Sequence, residues 1–168
     1  MTRLTHSARL ALSLFVCAAT CGLTDANAQI ASPDRLLVLL RDASELAIVD
    51  PVNRTVLGRV ATGRDPHEVT ASDDGQYAFV TSMVDGISVI DLAAQQEIRR
   101  VNPGNGSGTH DVIFSDDKLY FTIEGYKSIG RYDPVADEIE WTLGMGQAGT
   151  HMAVYYSPSR APATEAAG

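Results

Sequence analysis

The sequence predicts an all-β chain of β-propeller blades, about three four-stranded antiparallel leaves, and three observations carry that prediction. A histidine recurs at the same place in a repeated unit: Asp65-Pro66-His67-Glu68-Val69, Gly108-Thr109-His110-Asp111-Val112 and Gly149-Thr150-His151-Met152-Ala153, at spacings of 43 and 41 residues. An aspartate marker keeps the same beat in Asp50-Pro51, Asp91-Leu92 and Asp133-Pro134, 41 and 42 residues apart. Within each period, short stretches alternate apolar and polar residues between turn residues, which is the pattern of strands and not of helices. Four strands in roughly forty residues is the size of one propeller blade.

The elements follow in order. Arg35–Leu40, Glu45–Val49 and Val56–Val60 read as strands two, three and four of a first blade (about 35–66) that lacks its first strand. The second blade (67–109) opens with His67–Ala71, an alternating strand closed by the turn Ser72-Asp73-Asp74-Gly75. Tyr77–Ser82 (YAFVTS) is rich in the aromatic and β-branched residues that suit a pleated surface. Asp85-Gly86 is a hairpin signal before Ile87–Asp91, and Asn102-Pro103-Gly104 ends the fourth strand, Glu97–Val101. The third blade (110–150) repeats this with Asp111–Phe114, Leu119–Ile123, Ser128–Tyr132 and Glu138–Leu143. Its turn Ser115-Asp116-Asp117-Lys118 is read as the counterpart of Ser72–Gly75. His151–Tyr156 is then an extra first strand, for twelve strands in all. Helical solenoids of similar period are excluded by the β-branched content and the turns.

The unit PHEVTASDDGQYAFVTSMVDGISVIDLAAQQEIRRV resembles the YVTN-type β-propeller repeats of bacterial periplasmic and surface proteins. It carries the Pro-His start, the Ser-x-Asp-Gly turn, the aromatic-Val strand and the closing Val-Ile-Asp strand. The resemblance covers about residues 35–156, departing where Lys118 replaces the turn glycine and where the last repeat stops after Tyr156. It implies a propeller fold, and a family that mixes binding proteins, lactonases and partners of redox enzymes.

Residues 1–28 read as a secretory signal peptide: Arg3 and Arg9 precede the apolar run Leu10–Ala19, and Ala26-Asn27-Ala28 is a cleavage site before Gln29. The apolar run is about half the length of a membrane-spanning helix. Cys21 raises a lipid-anchor alternative, but Thr20 matches the lipobox poorly. The expectation is a mature chain that is periplasmic or secreted, with a repeat domain at 29–156 and a disordered tail at 157–168, rich in Pro, Ala and small polar residues. Both cysteines, Cys17 and Cys21, lie in the leader, so the mature chain has no disulfide, Cys-ligated metal or Cys nucleophile, and no covalently attached haem. Its 11 basic and 20 acidic side chains disfavour nucleic acid and anionic membrane as partners.

Three blades are too few to close a ring of four to eight. Two explanations stand: a homodimer in which His151–Tyr156 of each copy completes the other, giving six blades, or a truncated form of a longer propeller.

Strand order places the loops at 63–67, 104–110 and 146–151 on one face, with Arg41-Asp42, Met83–Asp85 and Glu124–Lys127. His67, His110 and His151 begin the innermost strands there. A ring of imidazoles that binds a divalent metal or an anionic ligand is one reading, with Glu68, Asp111 or Glu124 as carboxylate helpers. Packing, with each ring bonding a backbone group of the neighbouring blade, asks for less, because a ligand role needs all three to converge within about 2.1 Å of one ion. Arg41 and Tyr126 join the ligand-binding candidates of this face. Tyr126 and Trp141 are expected in the core by burial habit. The glycine-rich Asn105–Gly108 lacks a P-loop lysine and reads as a long loop, and no Gly-x-Ser-x-Gly, His-Glu-x-x-His or Ser-x-x-Lys motif is present.

The leading functional reading is a non-catalytic extracytoplasmic propeller presenting this face to a protein or small ligand. The alternatives are a metal-dependent hydrolase of the lactonase sort, with Glu68 or Glu124 as base, and an accessory propeller of a periplasmic redox enzyme.

Overall fold

A computed structural model describes residues 34–158; the leader and most of the tail lie outside the described residues. Eleven strands form three antiparallel sheets. The first holds β1 (Leu36–Leu40), β2 (Glu45–Asp50) and β3 (Thr55–Ala61). The second holds β4 (Pro66–Ala71), β5 (Tyr77–Ser82), β6 (Gly86–Asp91) and β7 (Gln96–Val101). The third holds β8 (Thr109–Ser115), β9 (Lys118–Ile123), β10 (Ser128–Asp133) and β11 (Glu138–Gly144). Strands pair in chain order within each sheet, so each is a meander and the count three, four, four follows the expected blades of a β-propeller.

The expected twelfth strand is not one. Residues 151–157 make no ladder, because no second strand of a fourth blade follows among the described residues. Side-chain tethers hold the segment instead: Thr122 Oγ1 donates to the His151 carbonyl at 2.9 Å, the Ala153 amide donates to Asp111 Oδ2 at 2.7 Å, and Tyr155 Oη donates to Asp116 Oδ2 at 2.7 Å.

Alternation along the middle sheet decides where the core sits. Ala78, Val80 and Ile90 point one way, onto Leu46, Ile48 and Val60 of the first blade. Phe79, Ile87 and Val89 point the other way, onto Val112, Leu119, Phe121, Ile123 and Tyr132 of the third. Because the central blade is covered on both faces, β5 and β6 read as nearly continuous buried runs. The outer faces lack that cover: Leu36 and Val38 on one side, Leu143, Val154 and Tyr155 on the other, are exposed. Between the second and third blades, Arg99 Nη1 donates to Tyr132 Oη at 2.8 Å, and that hydroxyl donates to Asp137 Oδ1 at 2.8 Å. Burial pushes the Tyr132 phenol up to about 12.

The back-face turns are built three times by one device. Asp50, Asp91 and Asp133 each accept two amides, those of residues two and three further on, at 2.8–3.0 Å. These are Asx turns, which supply the bonds that the chain loses on leaving the sheet. The turn at Ser115 differs from its expected counterpart. Ser115 pairs directly with Lys118, and Asp116 and Asp117 both have positive φ (54° and 57°), a two-residue hairpin where Ser72–Gly75 is longer. Lys118 therefore begins β9, and its Nζ donates to Asp133 Oδ2 at 2.7 Å.

That bond, then the amides of Ala136 and Val135, holds the Asp133 carboxyl at about 2, and hydrogen bonds from the Arg64 side chain and amide hold Asp85 at about 2. Both values lie below the ordinary carboxylate value near 4. Their stabilisation is therefore complete above about pH 4 and is lost as pH falls toward about 2. The urea midpoint is expected to hold steady from pH 7 to 5 and to drop between about pH 4 and 2. Asp133→Asn is expected to lower it at pH 7 and to flatten that drop.

Candidate functional site

Each inner strand carries its histidine in an irregularity. The β4–β5 register shifts between Pro66 and Val69, and the β8–β9 register between Thr109 and Val112, so His67-Glu68 and His110-Asp111 stand outside regular pairing. Bulges of this kind re-aim side chains. A threonine hydroxyl fills the gap each time. Thr81 Oγ1 accepts from the Glu68 amide at 2.9 Å and donates to the carbonyl of His110, in the next blade, at 2.6 Å. Thr122 Oγ1 accepts from the Asp111 amide at 2.9 Å and donates to the His151 carbonyl at 2.9 Å. One side chain thus mends its own blade and fixes the neighbour's histidine. The matching position of β1 is Leu39, which pairs with Leu46 as Thr81 pairs with Ile87, and it makes no such clamp.

The clamps line the imidazoles up. His67 and His110 have ring centroids 3.8 Å apart at 43°, and His110 and His151 3.8 Å apart at 44°. His110, at the centre, is buried. The packing account expected each ring to bond a neighbouring backbone group; it is the carbonyls of His110 and His151 that bond across blades, while Nδ1 of His67 and of His110 are buried with no hydrogen-bond partner. Burial first, then the proximity of His67 and His151, pushes the His110 imidazole below its usual value, against a smaller opposing effect of Glu124 and Glu68. At neutral pH it is an uncharged ring, the form that ligates metals.

Carboxylates flank the row. Glu68 Oε1 is 3.8 Å from His67 Nδ1, and Glu124 Oε1 is 4.0 Å from His110 Nε2. Ligand atoms of His67, Glu68 and His110 lie within 4.8 Å of one another, as do those of His110, Glu124 and His151. The geometry therefore gathers the candidates as two overlapping groups that share His110, whereas the metal reading of the sequence had one ion among three imidazoles. Asp111 is occupied otherwise, accepting the amides of Val112 at 2.9 Å and Ala153 at 2.7 Å.

The loops around the row are pinned to one another. The Met83 amide donates to the Asp65 carbonyl, Glu124 to that of Gly108, and Gly125 to that of Ser107, at 2.9–3.2 Å. Gly125 is required there, since a Cβ would stand 2.1 Å from the Gly106 carbonyl oxygen. Arg41 is exposed and paired with Asp65. Arg64, passed over in the sequence, makes a two-pronged pair with Asp85, Nε and Nη2 donating at 3.0 and 2.8 Å. Tyr126 is not in the core: it is 47% exposed and its hydroxyl donates to the Asn105 carbonyl at 2.7 Å. Trp141 is half-buried, with the Arg131 guanidinium 5.6 Å from its ring.

The family model described as "Cytochrome D1 heme domain" matches residues 31–134. Among solved structures, hydrazine synthase of Kuenenia stuttgartiensis is 22% identical with a TM-score of 0.64, over 70% of this chain and 35% of its own. Dihydro-heme d1 dehydrogenase NirN is 18% identical with a TM-score of 0.55, over 60% and 23%. Virginiamycin B lyase from Staphylococcus aureus is 16% identical with a TM-score of 0.59, over 70% and 40%. The likeness is one of fold, and the chain spans between about a quarter and two fifths of the length of these proteins. No curated protein matches it.

Proposed function

Because the chain belongs to the cytochrome D1 heme domain family, a family of β-propellers, we propose that it is an accessory binding propeller of a redox system outside the cytoplasm. Its histidine-lined inner edge and the loops around it form the binding face. The observation that carries this reading is the row of three adjacent, tilted imidazoles, two with buried and unpartnered nitrogens, beside a repeated threonine clamp. Packing alone leaves those nitrogens unpaired at a cost, and polar groups of this kind cluster where a ligand binds. The signal-peptide pattern of residues 1–28 supports export, and the YVTN-like unit supports a binding role in the same compartment. The fold likeness to hydrazine synthase and to a heme d1 dehydrogenase supports the redox setting. A second copy that covered the exposed outer faces would complete a six-bladed ring.

The family's description names a haem, and the inner edge does not fit one well. Iron in a macrocycle has its in-plane positions filled and takes a single protein donor on each face. Here one nitrogen of each imidazole lies close to a second imidazole and a carboxylate, a donor set that would suit a bare ion better than iron already held by a macrocycle. The arginines of the same face, Arg41 and Arg64, are already paired with Asp65 and Asp85 and not disposed toward the acidic side chains of a haem.

The test is affinity capture of the tagged chain from periplasmic extract of its own host. A co-eluting partner with haem or flavin absorbance is expected, and its capture is expected to fall at least tenfold when His67, His110 and His151 are changed together to Asn. A colourless chain that elutes alone overturns the reading, as does capture that ignores the histidines.

A further inference from the structure

We infer that the inner edge is a site for one bare divalent cation of the first transition row, zinc-like in preference, with His110 as its obligatory ligand. Two imidazole nitrogens and one carboxylate oxygen are the protein donors of an open zinc site, which keeps a fourth position for water or a ligand. Both groups on this edge offer that set, and imidazole with carboxylate suits zinc, copper, nickel or iron better than calcium or magnesium.

The spacing is right for closure by side-chain rotation. Donors about 2.0–2.1 Å from a tetrahedral ion stand roughly 3.3 Å from one another. The measured Glu124–His110 and Glu68–His67 separations are 4.0 and 3.8 Å, so those pairs must each close by well under an ångström. The backbones that carry them are already fixed. Thr81 and Thr122 hold the carbonyls of His110 and His151, and the Glu124 amide is bonded to Gly108. Preorganisation of this kind lowers the cost of binding. The buried and unpartnered Nδ1 of His67, the atom that faces Glu68, is a second, independent sign.

Stoichiometry follows from the sharing of His110. Two divalent ions held at once would share His110 and have only the carboxylates of the two groups, Glu68 and Glu124, as charged ligands. In a partly buried site that charge is not neutralised, and the second ion is repelled. One ion occupies either group and excludes the other. The Glu124 group is the better held, because its carboxylate is 25% exposed against 50% for Glu68.

The experiment uses the purified full chain, stripped with a chelator, and takes cobalt(II) and zinc(II) as probes. One equivalent of cobalt is expected, with the intense visible bands of a four-coordinate ion, displaced by one equivalent of zinc. His110→Asn is expected to abolish the bands. Because His110 is buried, the double variant Glu68→Gln, Glu124→Gln provides a second test on groups outside the core, and it is expected to weaken cobalt at least tenfold while the far-ultraviolet spectrum is unchanged. Haemin added to the stripped chain is expected to produce no histidine-ligated Soret shift. Two equivalents of cobalt, bands that persist in the double variant, or haemin ligation lost with His110 in place of cobalt binding each overturn the inference. The site needs no partner, so its failure here is separate from failure of the capture experiment above.

Discussion

Phe121→Ala is expected to lower the free energy of unfolding by about 3–5 kcal/mol, the range for emptying a packed aromatic site. Phe121 is 2% exposed and lies at the centre of the cluster between the second and third blades, with Phe79, Val112 and Tyr132. Its ring rests on Gly130, where an added Cβ would come within 2.5 Å of the ring's Cζ. That contact is between a ring and bare backbone of a hydrogen-bonded strand, so on that side the cavity has no side chain to fill it. Phe121→Leu, which keeps more of the volume, is expected to cost less. Urea denaturation followed by circular dichroism checks both. A loss under about 1 kcal/mol for the alanine variant, far below the usual range, contradicts a continuous core between these blades.

Thr81→Val is the second large effect, and it joins stability to the site. The change keeps the shape of a fully buried side chain and deletes its hydroxyl, so the Glu68 amide and the His110 carbonyl lose their partners together. Leaving buried polar groups unsatisfied costs about 1–3 kcal/mol. The same change releases His110 from the blade before it, so the imidazole resonances of His67 and His110 are expected to shift and broaden while those of residues near Trp141 do not. Thr81→Ser restores the bond and is expected to recover most of the loss. A valine variant as stable as the parent, with an unmoved His110 resonance, removes the clamp from the account of the site.

The blades were legible in the sequence because their signal is periodic. Short cues such as the Asp-Pro and Asp-Leu markers name turns that are closed by their own aspartate, so nothing distant is needed to interpret their closure. The three histidines were legible for the same reason, and the structure brings them side by side. What escaped is what depends on a neighbour. Residues 151–156 alternate like a strand, yet a strand exists only with a ladder partner, and the described residues supply side-chain tethers in its place. Tyr126 looked like a core aromatic, but it sits in a short 3₁₀ turn on the loop face and spends its hydroxyl on Asn105. Thr81 and Thr122 recur at the same place in YAFVTS and KLYFTI, and that repetition was the signal for them. It was masked because threonine in a strand is unremarkable until its hydroxyl is seen to cross to the next blade.

The aspartate-closed turns on the back face have an evolutionary consequence. Each turn finds the two amides that close it within four consecutive residues, so that closure is inherited with the segment that encodes it and owes nothing to the blades on either side. A gene encoding such units can gain or lose one by unequal recombination without disturbing the joints of the rest. The histidine face has no such independence, because His110 and His151 are each held at the carbonyl by a threonine of the preceding unit. Copy number can therefore drift at the back while selection acts on order at the front.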